Sequence, residues 1–347
     1  MARVTIHDIA KKVNTTASTV SKALNDHPSI STATKELIKD AAQKLNYRQN
    51  RLASSLRSGR TNIIGIVIPS SEIGFFATVV HGIEKVARNH GYNVLLFQSN
   101  ILGEYEVEGI ETLLHSSVDG IIASIAKDTT TLDHYLEVKK RKVPLVLFDR
   151  TKDEIGVPSV VIDDYKGAYM ATEHLIMQGY TRIAHISGAQ HVKIFNDRLR
   201  GYVDALRAHH LTVDDDLIQY GKNSIESGRA CMQALLDGAK KPDAVFAVED
   251  FTALGAQQII KQNGYKIPQQ IGLIGFGNES FSPYITPGLS TVDQQAAQMG
   301  EVAFNMFLHQ INNPDISTES IAKIVLDPVL IIRESSTRKP KKAEKLK

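Results

Sequence analysis

Residues 4–25, VTIHDIAKKVNTTASTVSKALN, read as two short helices joined by a tight turn. Thr5 followed three residues later by Asp8 has the spacing of a capping box, in which side chains satisfy the first backbone groups of a helix. Ile6, Ile9, Ala10 and Val13 then fall on one helical face. Asn14 tolerates the left-handed backbone that ends a helix. Thr15 or Thr16 caps a second helix, Ala17–Leu24, with Val20, Ala23 and Leu24 turned inward. After a turn, Ser31 caps a third helix, with Ile30 as its hydrophobic staple and Leu37, Ile38, Ala41 and Leu45 as its apolar face. Two short helices braced by a third make a helix-turn-helix unit over residues 1–47. The outward side of the second helix carries Thr16, Ala17, Ser18, Ser21 and Lys22. These are small or basic side chains with no bulky acid among them, which suits insertion into a DNA major groove.

The charge distribution supports a polyanion partner for this segment alone. Residues 1–61 hold eleven Lys and Arg against four Asp and Glu, a balance of +7, so the remainder of a chain with net charge +2 sums to −5. Residues 48–61 form a basic linker in which Leu52, Ala53 and Leu56 sit at helical spacing, too short to fold without a partner helix or a DNA groove. From Ile63 the pattern changes. Continuous apolar runs such as IIGIVIP, VDGIIASI and VPLVLFD alternate with amphipathic helical stretches as far as IGLIGFG. That is the pattern of parallel sheets covered on both faces, and its length suggests two doubly wound lobes over residues 62–333. Residues 334–347 read as a disordered basic tail. The chain shows no apolar run long enough to span a bilayer and no secretory leader, which gives the expectation of a cytoplasmic protein with no membrane partner. The single cysteine, Cys231, excludes an intramolecular disulfide and a cysteine zinc site.

The ordered segments VTIHDIAKKVNTTASTVSKALN, STATKELIKDAAQKLNY and NRLASSLRSGRTNIIGIVIP, followed by FFATVVHGIE, VDGII, LVLFDR, ATEHLIMQGYTRIAHISG, RLRGY, AVFAVEDFTALGA, IPQQIGLIGFGNE and PGLSTV, resemble the LacI/GalR family of bacterial transcription regulators over residues 2–333. The resemblance implies an all-α helix-turn-helix head and a periplasmic-binding-protein-like sensor of two α/β lobes. It places a recognition helix at 17–25, with Ala17, Ser18 and Lys22 toward base edges. Lys22 suits guanine, whose O6 and N7 accept from a cation. Thr5, Thr16, Thr19, Ser21, Asn25, Ser31 and Thr34 suit phosphate contacts, although capping alone would account for several of them. The family's hinge helix maps onto 50–57, with Asn50 and Ala53 toward DNA and Leu56 as a minor-groove wedge. Gln49 stands where the family usually has proline, which makes the approach to the hinge less rigid.

Ligands of doubly wound sheets bind beyond the carboxyl ends of the strands. The candidates there are Ser71, Phe75, Phe76, Ser124, Asp149 and Arg150 in the first lobe, and Asn196, Arg198, Glu249, Asp250 and Asn278 in the second. Arg198, in RLRGY, falls at the family's ligand-binding arginine, and its removal is expected to impair the ligand response without disturbing folding. Phe75 and Phe76 could instead be helix core, and Asp250 could brace its helix N-terminus. Glu249 and Gly277 depart from the family's residues, so the effector is not read across from a relative. Aromatic faces, carboxylates and an arginine favour a sugar or sugar derivative. The reading implies double-stranded operator DNA, a small-molecule effector and a second copy of the chain as partners. No cofactor, metal or catalytic residue is expected, because no phosphate loop, nucleophile elbow or zinc-protease motif occurs. A solute-binding protein is disfavoured by the head, and an enzyme by the missing catalytic constellation.

Overall fold

The computed structural model describes residues 4–47, 59–100, 102–313 and 322–338. The chain divides into two compact units, Met1–Thr61 and Asn62–Lys347.

In the first unit, helices α1 (Ile6–Lys12), α2 (Ala17–Leu24) and α3 (Thr32–Lys44) enclose Ile9, Ala10, Val20, Ala23, Ile38, Ala41 and Ala42. The starts and stops follow the side chains. The Asp8 carboxylate accepts from Thr5 N and from Thr5 Oγ1, both at 2.8 Å, which holds its pKa below the ordinary carboxylate value. Thr16 Oγ1 accepts from Thr19 N at 3.1 Å and Ser31 Oγ from Thr34 N at 3.3 Å. Asn14 takes φ 49° between α1 and α2. One expected core residue is misplaced. Leu37 is 55% exposed. Ile38, Ala41, Ala42 and Leu45 occupy the i, i+3, i+4, i+7 stripe, and Leu37 lies about a quarter turn off it.

The second unit has two lobes. Among the described residues, the first lobe holds six parallel strands in the order β11-β5-β4-β3-β1-β2: β1 (Ile63–Ile68), β2 (Asn93–Gln98), β3 (Gly120–Ala123), β4 (Leu145–Phe148), β5 (Ser159–Ile162) and β11 (Lys323–Leu326). Alternating residues serve opposite faces. Ile64, Ile66, Ile68, Val146 and Phe148 meet helices α4 (Gly74–Asn89) and α11 (Ala296–Asn312), while Val67, Ile121, Ala123, Leu145 and Leu147 meet α5 (Gly103–His115) and α6 (Asp133–Lys140). The second lobe holds parallel strands in the order β7-β6-β8-β9: β6 (Ile183–Ser187), β7 (Ile218–Tyr220), β8 (Ala244–Ala247) and β9 (Gly272–Ile274). Helices α7 (Asp164–Met177) and α8 (Lys193–Ala208) cover one face, and α9 (Ile225–Asp237) and α10 (Asp250–Gln262) the other. An antiparallel pair, β10 (Thr291–Asp293) and β12 (Val329–Ile331), completes this lobe.

Lobe order does not follow chain order. The chain passes from β5 to α7, returns from β10 to α11, and passes again from β11 to β12. The sequence pattern beyond Gly277 does not announce this return. Helix α11 is recruited by close backbone approach. A Cβ on Gly82 of α4 would stand 2.2 Å from Ala297 O, and one on Gly300 of α11 would stand 2.1 Å from Val79 O. Reciprocal glycines let the two helices cross in near contact.

The segment expected to be disordered from residue 334 is packed as far as Arg338. Ser335 and Ser336 are fully buried. Ser335 Oγ donates to Leu273 O at 2.7 Å, Leu273 N donates to Ser335 O at 2.8 Å, and Ser336 Oγ lies 2.7 Å from His174 Nε2. Polar groups paired inside the second lobe hold a stretch whose composition alone reads as tail. Residues 339–347 lie outside the described residues.

Candidate functional site

Two regions hold the candidate residues. The first is the outward side of α2. Val20 and Ala23 are buried, whereas Ser18, Lys22 and Asn25 are exposed and Ala17 and Ser21 half-buried. Positions 17, 18, 21, 22 and 25 therefore form one solvent-facing strip on a helix anchored from behind. Several phosphate-contact candidates also serve as caps. Thr16 Oγ1 and Thr19 Oγ1 lie 2.9 Å apart, as do Ser31 Oγ and Thr34 Oγ1 at 2.8 Å, each pair at a helix N-terminus. Asn25 Nδ2 donates to Ser21 O at 2.8 Å and helps to close α2. The hinge candidates Asn50, Ala53 and Leu56 lie outside the described residues.

The second region is the cleft between the lobes. In each sheet it opens where the strand order reverses, beside β1 between β2 and β3, and beside β6 between β7 and β8. The cleft has an outer cavity of about 350 Å³ and a deep one of about 30 Å³, joined through Asp149, Arg150 and Ile194. Phe75, Phe76, Asp149, Arg150, Arg198, Glu249 and Asp250 all line the deep part, as the sequence suggested. Ser124 stands one layer behind, its Oγ donating to Asp149 Oδ2 at 3.3 Å. Three candidates face elsewhere. Ser71 is exposed and its N donates to Gln98 Oε1; Asn196 is exposed, with Nδ2 directed to Gln190; Asn278 bonds Asp293 and Arg333. Asn196 is about 200° around α8 from Arg198, so one helix cannot present both to the same cleft.

Arg198 organises the site. It is fully buried, with the guanidinium 3.7 Å from the centroid of the Phe276 ring. Nε donates to Asp164 Oδ1 at 2.8 Å, Nη1 to Val248 O at 2.7 Å and Nη2 to Gln294 Oε1 at 3.1 Å. Asp164 and Gln294 lie on two of the three crossovers. The third is tied in by Lys166 Nζ on Asp327 Oδ1 at 2.6 Å and by Gln295 Nε2 on Asp327 O at 2.5 Å. Burial pushes the Asp164 carboxyl up to about 7 against the pull of Arg198. These contacts change one expectation. Removing Arg198 would strand a buried carboxylate, so an effect on folding is expected as well.

The remaining groups differ in how much is left for a ligand. Asp250 is buried and accepts from Glu279 N at 2.8 Å, Ser282 Oγ at 2.6 Å and Thr291 Oγ1 at 2.7 Å, which makes it a brace for the adjoining loops. Asp149 sits at φ 59°, a left-handed conformation uncommon outside glycine, and burial raises its carboxyl. Arg150 stacks 5.4 Å over Phe76 and makes one long bond, Nη1 to Ile125 O at 3.4 Å. Its buried Nε has no hydrogen-bond partner among the described residues. Lys127, which the sequence reading missed, projects over the Phe195 ring at 5.0 Å, and burial lowers its pKa. Phe276, Glu279 and Gln294 were also missed. The signal for the first two was the GFGN stretch itself, whereas Gln294 has none in the local pattern.

A family model for bacterial regulatory proteins of the lacI family matches residues 5–50, and the model for periplasmic binding proteins and the sugar binding domain of the LacI family matches residues 61–330. The chain belongs to the LacI family. The HTH-type transcriptional repressor CytR of Escherichia coli (strain K12) is 31% identical over 336 residues, 97% of each chain. The structure of the transcriptional regulator CelR–cellobiose complex is 28% identical, with a TM-score of 0.72 over 96% of this chain and 100% of that one. The lac repressor dimer bound to operator and the anti-inducer ONPF superposes with a TM-score of 0.86 at 23% identity, over 97% and 100% of the two chains, a likeness of fold. The LacI-family relatives are transcriptional regulators. No helix among the described residues is long and apolar enough to cross a membrane.

Proposed function

We propose that this LacI-family chain is a repressor that binds a pseudo-palindromic operator as a homodimer and is controlled by a neutral sugar or sugar derivative held between its lobes. The observation that carries the proposal is Arg198, a buried cation in the cleft wall that is bonded to two of the three interlobe crossovers. A ligand touching this wall bears directly on the crossovers between the lobes. Ligand and DNA affinities are then linked, each altering the other by the same factor.

Charge bookkeeping favours a neutral polyol. Arg198 is matched by Asp164, Arg150 and Lys127 are set against Asp149 and Glu249, Asp250 is satisfied by three donors and Glu279 accepts from Phe75 N, so no cation is left over for an anionic ligand. What remains is a rim of donors and acceptors with aromatic walls, suited to hydroxyls and a sugar face. The cellobiose bound by CelR and the sugar-binding description of the matched family model support this class. Dimer formation is supported by β2, an edge strand that exposes Leu95 and Leu96 at 38% and 40%, and by Tyr220 and Tyr284 on the second lobe.

A thermal-shift screen with neutral sugars, phosphorylated sugars and nucleosides tests the effector class. A ligand at a hundred times its Kd adds about 2.7 kcal/mol to folded-state stability. A shift given only by nucleosides or phosphates would overturn the sugar reading. Selection of duplexes from a random pool tests the operator; a pool without two-fold sequences would overturn the dimeric reading.

A further inference from the structure

Helix α4 begins at the cleft, and a carboxylate from the other lobe covers its N-terminus. Glu279, in the loop after β9, is buried, and its Oε1 accepts from Phe75 N at 3.3 Å. Gly74 makes room for it: a Cβ there would stand 2.3 Å from Glu279 Oε2. The acid rides on a fixed mount. Its own N donates to Asp250 Oδ2 at 2.8 Å, and Ser282 N donates to its carbonyl at 2.9 Å. Asp250 Oδ2 also takes the Ser282 hydroxyl, and Asp250 Oδ1 takes that of Thr291. A helix N-terminus has unpaired N–H groups that an acceptor oxygen satisfies. The two halves of this contact belong to different lobes, so it forms only when the lobes approach.

We propose that Glu279 and Gly74 form a built-in interlobe latch, through which the chain itself contributes to closing the cleft. Glu279 is thus a positioning residue for the sensor. The latch also shields the helix N-terminus, which would otherwise attract an anionic ligand group, and so it sharpens the preference for a neutral effector. The inference rests on the cleft being the sensor site, but its test needs no effector.

The full-length chain carries Cys231→Ser and nitroxide labels at Thr130→Cys and Lys222→Cys, exposed positions on the loops that follow β3 in the first lobe and β7 in the second. Labelled chains are diluted with unlabelled ones, so that distances within one chain dominate. Glu279→Ala and Gly74→Ala are each expected to lengthen and broaden the distance distribution relative to the parent. Their combination should go no further than either alone, and at about pH 5, where the closed form holds Glu279 protonated, Glu279→Gln, which keeps an acceptor oxygen, should restore the parental distribution. An unchanged distribution in a folded Glu279→Ala chain, or additive effects of the two substitutions, would overturn the latch. Should Glu279→Ala fail to fold, Gly74→Ala decides alone. A failure of the sugar screen would leave these distances untouched, so the two readings fail separately.

Discussion

His185 shows how far a residue's setting can move its chemistry. It lies in β6, fully buried and stacked between Phe246 and Tyr202, with Nδ1 2.9 Å from Phe246 O, and burial lowers its pKa to about 4. The folded state therefore keeps the ring neutral, while the unfolded chain protonates near 6.5. Stability from this group is complete above that value and is lost as pH falls toward 4, by roughly 3 kcal/mol. Urea titrations of the parent and His185→Phe from pH 7.5 to 4.5 should show their stability difference shrinking by that order. A constant difference would show that the ring does not titrate in this way. Arg198 presents the complementary case. Arg198→Ala leaves Asp164 buried and unpaired, which should cost about 3–5 kcal/mol, and Arg198→Ala with Asp164→Leu should recover much of it. Urea midpoints of the single and double variants check this. Position 198 was legible from RLRGY; its attachment to Asp164 and Gln294 was not, because those partners stand 34 and 96 residues away.

At the scale of elements, short-range chemistry was readable and long-range packing was not. Helices α1 to α3 start where Thr5, Thr16 and Ser31 place them, since a cap is decided within a few residues. Leu37 was misread because an apolar residue beside a stripe looks like part of it. Leu37→Glu should change stability by less than about 0.5 kcal/mol, whereas Ile38→Ala should cost about 2–5 kcal/mol; thermal melts of the two variants separate them. For α2, Lys22→Ala is expected to weaken binding to a selected duplex by about 1–3 kcal/mol and to relax preference at one base position, measured by fluorescence anisotropy. An equal loss on every sequence would make Lys22 a phosphate contact. Gly300→Ala would set a methyl against Val79 O, a backbone atom that cannot swing aside, and should lower the thermal midpoint more than Gly238→Ala, whose nearest neighbours lie at 3.5 Å or beyond.

At the scale of the whole molecule, the alternation of strands and helices announced two doubly wound lobes, but not which part of the chain completes each. Cleft closure should also respond to pH. Burial, with Asp250 and Glu249 from the α10 side, pushes Glu279 up to about 7, while the N–H groups of Gly74 and Phe75 on α4 pull the other way. Asp149, Arg150 and Arg198 line the same cavity. Opening returns the carboxyl toward its ordinary 4.5, so the closed form takes up a proton. Closure is most favoured below 4.5, weakens as pH rises from there to about 7, and levels off above that value. Interlobe distances should lengthen between pH 5 and pH 7 in the parent, and stay constant in Glu279→Gln. The threefold crossing of the chain has a further consequence, for synthesis on the ribosome. The last stretch, from β10 to Arg338, supplies α11 and β11 to the first lobe, and β10, β12 and the buried serines to the second. Neither lobe can mature while this stretch is still inside the exit tunnel, however long ago its opening strands emerged. The body therefore ripens late and all at once, as a purse closes when its drawstring is pulled, and a nascent chain arrested before Thr291 should be digested by protease throughout both lobes.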